Sequence, residues 1–545
     1  MLKFTKFFST KATPQSAPIP GSSQVPNSAG GYAWPVDDWM RLDRFLVLGS
    51  EGGTFYIKER ELTIDNAEAV VRCLAADGPR AVARIVEISD AGRAPKNDPA
   101  IFALAMAAKL GDEATRKAAY AALPKVCRTG THLMHFAELA QGFGGWGRGM
   151  RKAVASWFNS KAADVLALQL VKYQARDGWS TRDLLRLAHP RAASPSHDRL
   201  FAWVTKGELP AGATDDVALR LVVAMDAAKR ATTVDEIVAL VREHRLPREA
   251  LPTQWLTKAA VWEALLADMP MTAMIRNLAT MTRVGLLGGH ASATKTVVAR
   301  LADNGRLVKA RVHPVAILAA MLTYKSGHGA KGHGTWAPVG AIVDALDAAF
   351  YGSFPAVVPS GKRMLLALDV SGSMGCGTIA GVPGLTPRVG SAAMALITAA
   401  TERDYSVVGF TAASGGYGGQ WGGGTPGLTP ITLSPRQRLD DACAAIGRLP
   451  MGGTDCALPM VWAKQHKVAV DTFVVYTDNE TWAGSVHPAQ ALRDYRQASG
   501  NAAKLVVVGM TSNGFSIADP NDAGMLDVVG FDTATPPVIS DFARA

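Results

Sequence analysis

Residues 364–373 read MLLALDVSGS, and this stretch decides the fold of the C-terminal part of the chain. A short apolar run is typical of a buried β-strand, and here Asp and two Ser residues follow it at alternate positions. Strand–helix alternation continues downstream and predicts a parallel, doubly wound α/β domain over residues 359–545. The predicted strands are 364–370, 406–410, 472–477 and 504–509, and the predicted helices are 391–403, 436–449, 458–467 and 488–499.

Five oxygen-bearing side chains lie where strands of this sheet end or helices begin. They are Asp369, Ser371 and Ser373 after the first strand, Thr454 in a Gly-Gly-Thr loop, and Asp478 after a later strand. Ligands of doubly wound sheets bind at the carboxyl ends of the strands. Carboxylates and hydroxyls form the hard oxygen site that Mg²⁺ or Mn²⁺ prefers. The alternative is that the serines cap a helix while Asp369 accepts bonds from backbone amides.

The first two thirds of the chain has a different pattern. From about residue 65 to 353 the apolar spacing is helical, with short breaks every 12 to 20 residues or so. Such a succession of helix pairs favours an α-solenoid over residues 31–358, with an irregular helical bundle as the alternative. Residues 1–30 are rich in Ser, Pro and Gly and are predicted to be a disordered tail; a transit peptide is a weaker interpretation.

The charge is divided unevenly along the chain. The formal net charge is +10, yet residues 361–545 hold 13 Lys and Arg against 15 Asp and Glu, which leaves +12 for the first 360 residues. A polyanion is the natural partner of that positive part.

No apolar run reaches the roughly 18 residues of a membrane span. The five widely spaced cysteines are typical of a reducing compartment, so we expect a cytoplasmic protein.

Enzyme motifs do not emerge from the sequence. The glycine-rich segment 327–334 lacks the Gly-Lys-Ser/Thr ending of a phosphate-binding loop. No His or Cys accompanies the predicted metal ligands as a general base, and a metallonuclease would need such a base or a second metal ion. We therefore expect no catalytic residues.

Several longer motifs resemble a known family. The five predicted metal ligands match the metal-ion-dependent adhesion site of von Willebrand factor A domains. Segments 477–484 and 509–515 closely resemble the A domain of the Ro autoantigen family, and segments 44–54, 178–180 and 313–329 resemble its TROVE region. The resemblance extends from about residue 35 to 543, and the alanine-rich composition is typical of a bacterial member. Segments 378–387 and 415–424 match no motif of the family.

The resemblance implies a monomeric ring of HEAT-like helical repeats closed by the A domain. Its central channel would accept the single-stranded 3′ ends of misfolded or unprocessed noncoding RNA, and a Y or Y-like RNA would lie on the outer surface. The implied role is RNA quality control or processing, with a 3′-exoribonuclease such as polynucleotide phosphorylase as a candidate partner. The competing hypothesis is a scaffold whose A domain recruits a protein, because a partner's carboxylate typically completes the metal site of A domains.

Three residues match the positions that hold Y RNA in that family: Lys172, Arg176 and His189. Lys172 and Arg176 are four residues apart, so on one helix they would share a face and could bind successive phosphates. The alternative is a solvated helix face without a ligand. His189 precedes a proline and could instead be a helix-end histidine that bonds a carbonyl group.

Overall fold

The computed structural model describes most of the chain. The described residues are 12–48, 59–94, 96–310, 312–329, 334–354, 357–377, 379, 385–412, 427–434, 437–449, 452–511 and 513–545. In the helix that begins at Glu59, side chains are described from residue 67 onward. Contacts divide the chain into two compact units, Met1–Ala69 with Pro355–Ala545, and Val70–Phe354. We call them the α/β unit and the helical unit.

Eleven strands are assigned among the described residues. In chain order they are β1 (Val25–Pro26), β2 (Tyr32–Pro35), β3 (Ala175–Arg176), β4 (Trp179–Ser180), β5 (Met364–Asp369), β6 (Tyr405–Phe410), β7 (Leu428–Ile431), β8 (Thr472–Thr477), β9 (Lys504–Gly509), β10 (Phe515–Ser516) and β11 (Met525–Val529). All but β3 and β4 belong to the α/β unit.

The helices divide in the same way. The α/β unit contains α1 (Asp38–Leu48), α18 (Pro387–Thr401), α19 (Leu439–Gly447), α20 (Leu458–Gln465), α21 (Pro488–Ser499) and α22 (Thr535–Arg544). The helical unit contains α3 (Asp98–Leu110), α4 (Glu113–Val126), α5 (Gly130–Gly144), α6 (Arg148–Asn159), α7 (Ala163–Lys172), α8 (Thr181–Ala188), α9 (Pro195–Lys206), α10 (Arg220–Arg230), α11 (Val234–His244), α12 (Ala259–Asp268), α13 (Met271–Arg283), α14 (Ser292–Leu301), α15 (Asn304–Lys309), α16 (Pro314–Ser326) and α17 (Gly340–Gly352). The division falls inside α2 (Glu59–Ala91), which is kinked at Asp77.

The main sheet has six strands in the order β11-β9-β8-β5-β6-β7. All its pairs are parallel except β6 with β7. β5 and β8 are buried along their whole length, as their apolar runs require. Leu368 pairs with Tyr476 and Thr477 with Gly509, so the carboxyl ends of β5, β8 and β9 lie at one edge. The predicted doubly wound sheet is confirmed, with β8, β9 and α21 at their predicted bounds.

The N-terminal residues belong to the α/β unit. β1 and β2 form an antiparallel hairpin, and β2 also pairs with β10. The contacts thus divide the chain at other points than the predicted boundaries at residues 31 and 359. The predicted disordered tail is wrong for residues 12–30, because backbone and side-chain bonds attach them to distant loops; Gln15, for example, is fully buried. Residues 1–11 lie outside the described residues.

Successive helices of the helical unit pack on one another. α3 contacts α4 and α5, α10 contacts α11, α11 contacts α12, and α16 contacts α17. Short connections and local partners are what the solenoid prediction requires. The predicted combination of a helical domain and an α/β domain is therefore correct. None of the described helices is long and apolar enough to span a bilayer.

Two segments without a family motif fall largely on residues that the structure does not describe. The glycine-rich segment 415–424 lies wholly outside the described residues. Of segment 378–387, residue 379 and residues 385–387 are described.

Candidate functional site

The five predicted metal ligands converge at the carboxyl edge of the main sheet. Asp369 ends β5, Ser371 and Ser373 follow it, and Asp478 follows β8 directly. Thr454 lies in the loop before α20. All five side chains are at most 1% exposed. Burying so many polar groups is costly unless they are bonded to one another or to a ligand.

Asp369 is held by hydrogen bonds on both carboxylate oxygens. Oδ1 accepts from the backbone amide of Ser371 at 2.9 Å, and Oδ2 accepts from the Thr477 hydroxyl at 2.7 Å. The hydroxyl oxygens of Ser371 and Ser373 are 3.1 Å apart. The part of the capping alternative that assigned Asp369 to a backbone amide is thus present in the structure. That alternative explains only the bond to Oδ1 of Asp369, since Oδ2 is bonded by the side chain of Thr477.

Asp478 is the second carboxylate. Its Oδ1 accepts from the backbone amide of Glu480 at 3.0 Å, while its buried Oδ2 has no hydrogen-bond partner. Burial raises the pKa of Asp478 well above its usual value, and the charges of Asp369 and Glu480 raise it further. Burial likewise raises the pKa of Asp369, against the lowering effect of its hydrogen bonds. The two carboxyl groups thus repel each other, and the positive charge of the buried Arg388 offsets only part of this effect by lowering the pKa of Asp369.

The Thr454 loop depends on its two glycines. A Cβ on Gly452 would lie 2.7 Å from the Thr411 hydroxyl, and one on Gly453 would lie 2.8 Å from the Trp482 ring. The close approach that these glycines permit places Thr454 in the interior, with its Oγ1 buried and unbonded. The loop thus holds a third hydroxyl, in addition to those of Ser371 and Ser373, and this one has no hydrogen-bond partner.

These observations fit a divalent cation. Two buried atoms, Thr454 Oγ1 and Asp478 Oδ2, have no partner within the protein, and both are hard oxygen donors. Within the described residues, no group of three or more His, Cys, Asp and Glu residues is arranged to hold a metal ion. The candidate site instead combines two carboxylates with three hydroxyls.

Sequence reasoning missed two residues that support the site. Thr477 is the donor to Asp369 described above. Arg388, near the start of α18, is 5% exposed and donates through Nη2 to the carbonyl oxygens of Val370 and Ser371. It thereby fixes the backbone between Asp369 and Ser373. Thr477 could have been found from the sequence, because it is the last residue of a predicted strand. No local pattern connects Arg388 with the loop after β5.

The N-terminal segment contacts the loop that follows Asp478. Gln15 donates to Asp455 Oδ1 at 2.8 Å and to the Val486 carbonyl at 2.9 Å, and Asn27 donates to the Thr481 carbonyl at 2.8 Å. The carboxylate of Glu480 accepts from the Ala29 amide at 3.2 Å. A segment from the opposite end of the sequence therefore orders the loop beside the candidate metal site.

The predicted RNA residues lie on different elements of the helical unit. Lys172 is the last residue of α7, whereas Arg176 lies on strand β3. The prediction that both share one helix face is wrong, because Asp177 and Gly178 have φ of 51° and 79° and turn the chain into a β3–β4 hairpin. Both-positive φ values at an Asp-Gly pair are typical of a type I′ hairpin turn.

Two of the three predicted RNA residues, Arg176 and His189, are exposed to solvent. The side chain of Arg176 is 61% exposed and pairs with Asp177 at 3.2 Å. His189 is exposed and ends α8 in the left-handed conformation, with its backbone amide bonded to the Leu185 carbonyl. It is therefore a helix-end residue, as the alternative proposed, although the bond runs from its backbone. RNA contact by Lys172, Arg176 and His189 stays a prediction.

Comparisons with known proteins agree with this architecture. The sequence model of the Ro60 vWA domain matches residues 363–543, and that of the TROVE domain matches residues 25–212 and 243–323. The chain is 46% identical over 523 residues to RNA-binding protein RO60 of Deinococcus radiodurans, covering 96% of this chain and 95% of that protein. It is 36% identical over 608 residues to RNA-binding protein RO60 of Caenorhabditis elegans, covering 98% and 92%.

A solved structure gives the same result. The crystal structure of the Deinococcus radiodurans RO (RSR) protein is 46% identical and superimposes with a TM-score of 0.69, covering 93% of this chain and 99% of that one. Both domains, their order and nearly the full length are shared. On these grounds the chain belongs to the Ro60 family.

Proposed function

We propose that this chain is a non-catalytic RNA-binding protein of the cytoplasm that acts in RNA quality control or processing. Single-stranded 3′ ends of misfolded or unprocessed noncoding RNA enter a channel of the helical repeats, and a Y or Y-like RNA binds the outer surface. The observation that carries the proposal is the 46% identity over 96% of the chain to a protein named for RNA binding.

The charge distribution supports the same proposal. The helical unit, Val70–Phe354, contains 37 Lys and Arg against 24 Asp and Glu, a net charge of +13. The rest of the chain therefore carries −3, since the total is +10. A positive domain attracts a polyanion at long range and releases counterions when it neutralises phosphates. The helical unit, which contains most of the residues matched by the TROVE model, is thus the one suited to RNA.

The α/β unit has a separate role in this proposal. Asp369, Ser371, Ser373, Thr454 and Asp478 hold one Mg²⁺ or Mn²⁺, which would supply a coordination position for a carboxylate of a protein partner. A 3′-exoribonuclease such as polynucleotide phosphorylase is the partner class that the proposed RNA role favours. The buried, unbonded oxygens of Thr454 and Asp478 support the cation, because a cation satisfies both.

RNA binding is tested by filter-binding titration of the full chain with a hairpin RNA that carries a 3′ single-stranded tail. About five phosphate contacts on a single strand should give a slope of log affinity against log salt near −3 to −4, at about −0.7 for each phosphate. Blunt-ended duplex should bind far more weakly. Salt-independent affinity, or equal affinity for the blunt duplex, would contradict a channel for 3′ ends. Recruitment of a protein without RNA binding would favour the scaffold hypothesis.

A further inference from the structure

A cavity of about 250 Å³ lies among α7, α11, α12 and α13 of the helical unit. Its walls are largely apolar and include Leu168, Leu265 and Met269. Leu168 is 40% exposed, so this part of the cavity wall is accessible to solvent. The cavity is therefore largely apolar and belongs to the helical unit, which carries the positive net charge.

Three cationic side chains line this cavity. Lys172, Arg245 and Arg248 all line it, together with the carboxylates of Asp268 and Glu249. Arg245 lies 3.7 Å from Asp268, and Arg248 lies 3.2 Å from Glu249. Both arginine side chains are well exposed, at 75% and 44%, so these ion pairs are weak and exchange readily for other partners. A phosphate can therefore compete for the cations.

One of the cations is fixed in place. Arg248 donates through Nη1 to Asn277 Oδ1 at 2.8 Å. Asn277 is 6% exposed and is itself held by a bond from Nδ2 to the Ala273 carbonyl at 2.8 Å. The guanidinium is thus anchored to the buried face of α13 before any ligand arrives. Such preorganisation lowers the entropy cost of binding.

The size of the cavity limits the ligand. Small-molecule sites typically measure about 300–1,000 Å³, so this one suits a group smaller than most drug molecules. A nucleobase is a flat, largely apolar group of that size. The phosphate of the same nucleotide would lie at Lys172, Arg245 and Arg248. Asp268 and Glu249 can accept hydrogen bonds from an exocyclic amino group. Uracil has no such group, whereas adenine, guanine and cytosine do.

We propose that this cavity binds one unpaired, amino-bearing nucleotide of the bound RNA, with the base between Leu168 and Met269 and the phosphate at Lys172, Arg245 and Arg248. This inference rests on the proposed RNA-binding function and deepens it. It gives Lys172 a role that does not depend on sharing a helix with Arg176. The same chemistry would suit a free mononucleotide, so the experiment includes both ligands.

The test uses the full chain and a fluorescent Y-like hairpin RNA with an unpaired loop of six adenosines. Each loop adenosine is replaced in turn by an abasic nucleotide or by uridine. In wild type, at least one abasic position should weaken binding roughly 5- to 150-fold, the range for loss of one base contact. In Ala273→Phe, which fills the cavity, the same abasic change should have no further effect. Asp268→Asn should reduce the preference for adenosine over uridine at that position.

Matched controls separate the cavity from general charge and bulk. Arg245→Gln should weaken RNA binding about tenfold, whereas Arg230→Gln should not; Arg230 is 72% exposed and paired with Asp226, but it lies outside the cavity. Val217→Phe adds a ring at a residue that is 76% exposed and should leave the abasic effect intact. AMP alone is titrated against wild type and Ala273→Phe by calorimetry.

The outcomes are distinct. Loss of the abasic effect in Ala273→Phe, with Asp268→Asn folded and altered in base preference, supports the inference. RNA binding in wild type with abasic effects that persist in every cavity variant overturns it but leaves the proposed function standing. Binding of AMP without any coupling to RNA also overturns it, because the cavity would then serve a free nucleotide. Absence of RNA binding in wild type overturns the proposed function itself.

Discussion

Replacing Arg44 by Met should strongly lower the free energy needed to detach α1 from the rest of the α/β unit. Arg44 is fully buried, and its Nη2 lies 2.6 Å from Asp527 Oδ1 on β11. Its Nη1 donates to the carbonyl oxygens of Asn513 and Phe515, each at 2.8 Å. One side chain therefore ties the helix to both β11 and the segment that contains β10.

The magnitude follows from burial. The side chains of Arg44 and Asp527 are 0% and 5% exposed, so Arg44→Met leaves a carboxylate buried without its cation. Breaking a buried ion pair by removing one partner costs about 3–5 kcal/mol. Replacing both residues together, as in Arg44→Met with Asp527→Leu, should recover much of that loss, because no charge is then left buried.

The assay is native-state hydrogen exchange of the buried amides of α1, at Phe45 and Leu46. Exchange is preferable to a single unfolding free energy, since a chain of two units need not unfold in one step. A cost of about 3–5 kcal/mol corresponds to roughly 140- to 4,000-fold faster exchange through the detached state. Lys464→Met is the control, because the side chains of Lys464 and its partner Asp494 are 43% and 44% exposed. Equal exchange in Arg44→Met and Lys464→Met would refute the reasoning.

Three further predictions concern the N-terminal segment, the hairpin and the metal site. His487 donates through Nε2 to the Ala17 carbonyl at 2.8 Å, and burial lowers its pKa; attachment of the segment should therefore be complete above the unfolded pKa of about 6.5 and weaken below it. Limited proteolysis at pH 7.5 and 5.5 should show this loss in wild type but not in His487→Gln. Gly178→Ala should destabilise the β3–β4 turn by about 1–2 kcal/mol, because Ala tolerates the φ of 79° poorly, and faster exchange of the hairpin amides would reveal it. Asp369→Ala should abolish Mn²⁺ binding measured by calorimetry while RNA affinity stays within about twofold, since the positive charge lies in the helical unit; unchanged Mn²⁺ affinity would contradict the assigned ligands.

The sheet was predictable because its strands carry local signals. Apolar runs such as 472–477 and 504–509 match the observed β8 and β9 residue for residue. β7 and β11 were missed. β7 contains a proline and is half exposed at the edge of the sheet, and β11 is only partly buried, so neither has the continuous apolar run of a central strand. Burial on both faces is what makes a strand visible in a sequence.

The hairpin shows a different kind of failure. The spacing of Lys172 and Arg176 suggested one helix face, but spacing has that meaning only while the helix continues. Asp177-Gly178 was a local turn signal that should have taken precedence, because both φ values are positive there and a helix interior excludes them. The sequence thus contained the signal that ends the helix, and an Asp-Gly turn overrides a helical spacing of charged residues.

The N-terminal segment could not have been predicted in the same way. Its Ser, Pro and Gly content is that of a disordered chain, and no apolar period contradicts it. Its order comes from individual polar side chains, such as Gln15 and Asn27, that replace water at backbone groups in the C-terminal part of the chain. Each such bond contributes only about 1 kcal/mol, so the segment is stabilised by their number and by burial, neither of which composition records.

The candidate metal site lies between these two cases. That its five candidate donors lie at one edge of the sheet could be predicted, because each follows a strand or precedes a helix, and a parallel sheet brings such positions together whatever the intervening sequence. Its geometry could not, since Arg388 fixes the Asp369 loop through backbone carbonyls and the N-terminal segment orders the loop after Asp478. Chemistry at a strand end is thus encoded locally, whereas the precision with which it is held comes from residues that only the fold brings near. Substitutions outside the donor set should therefore change metal affinity through loop order, even though the donors themselves are unchanged.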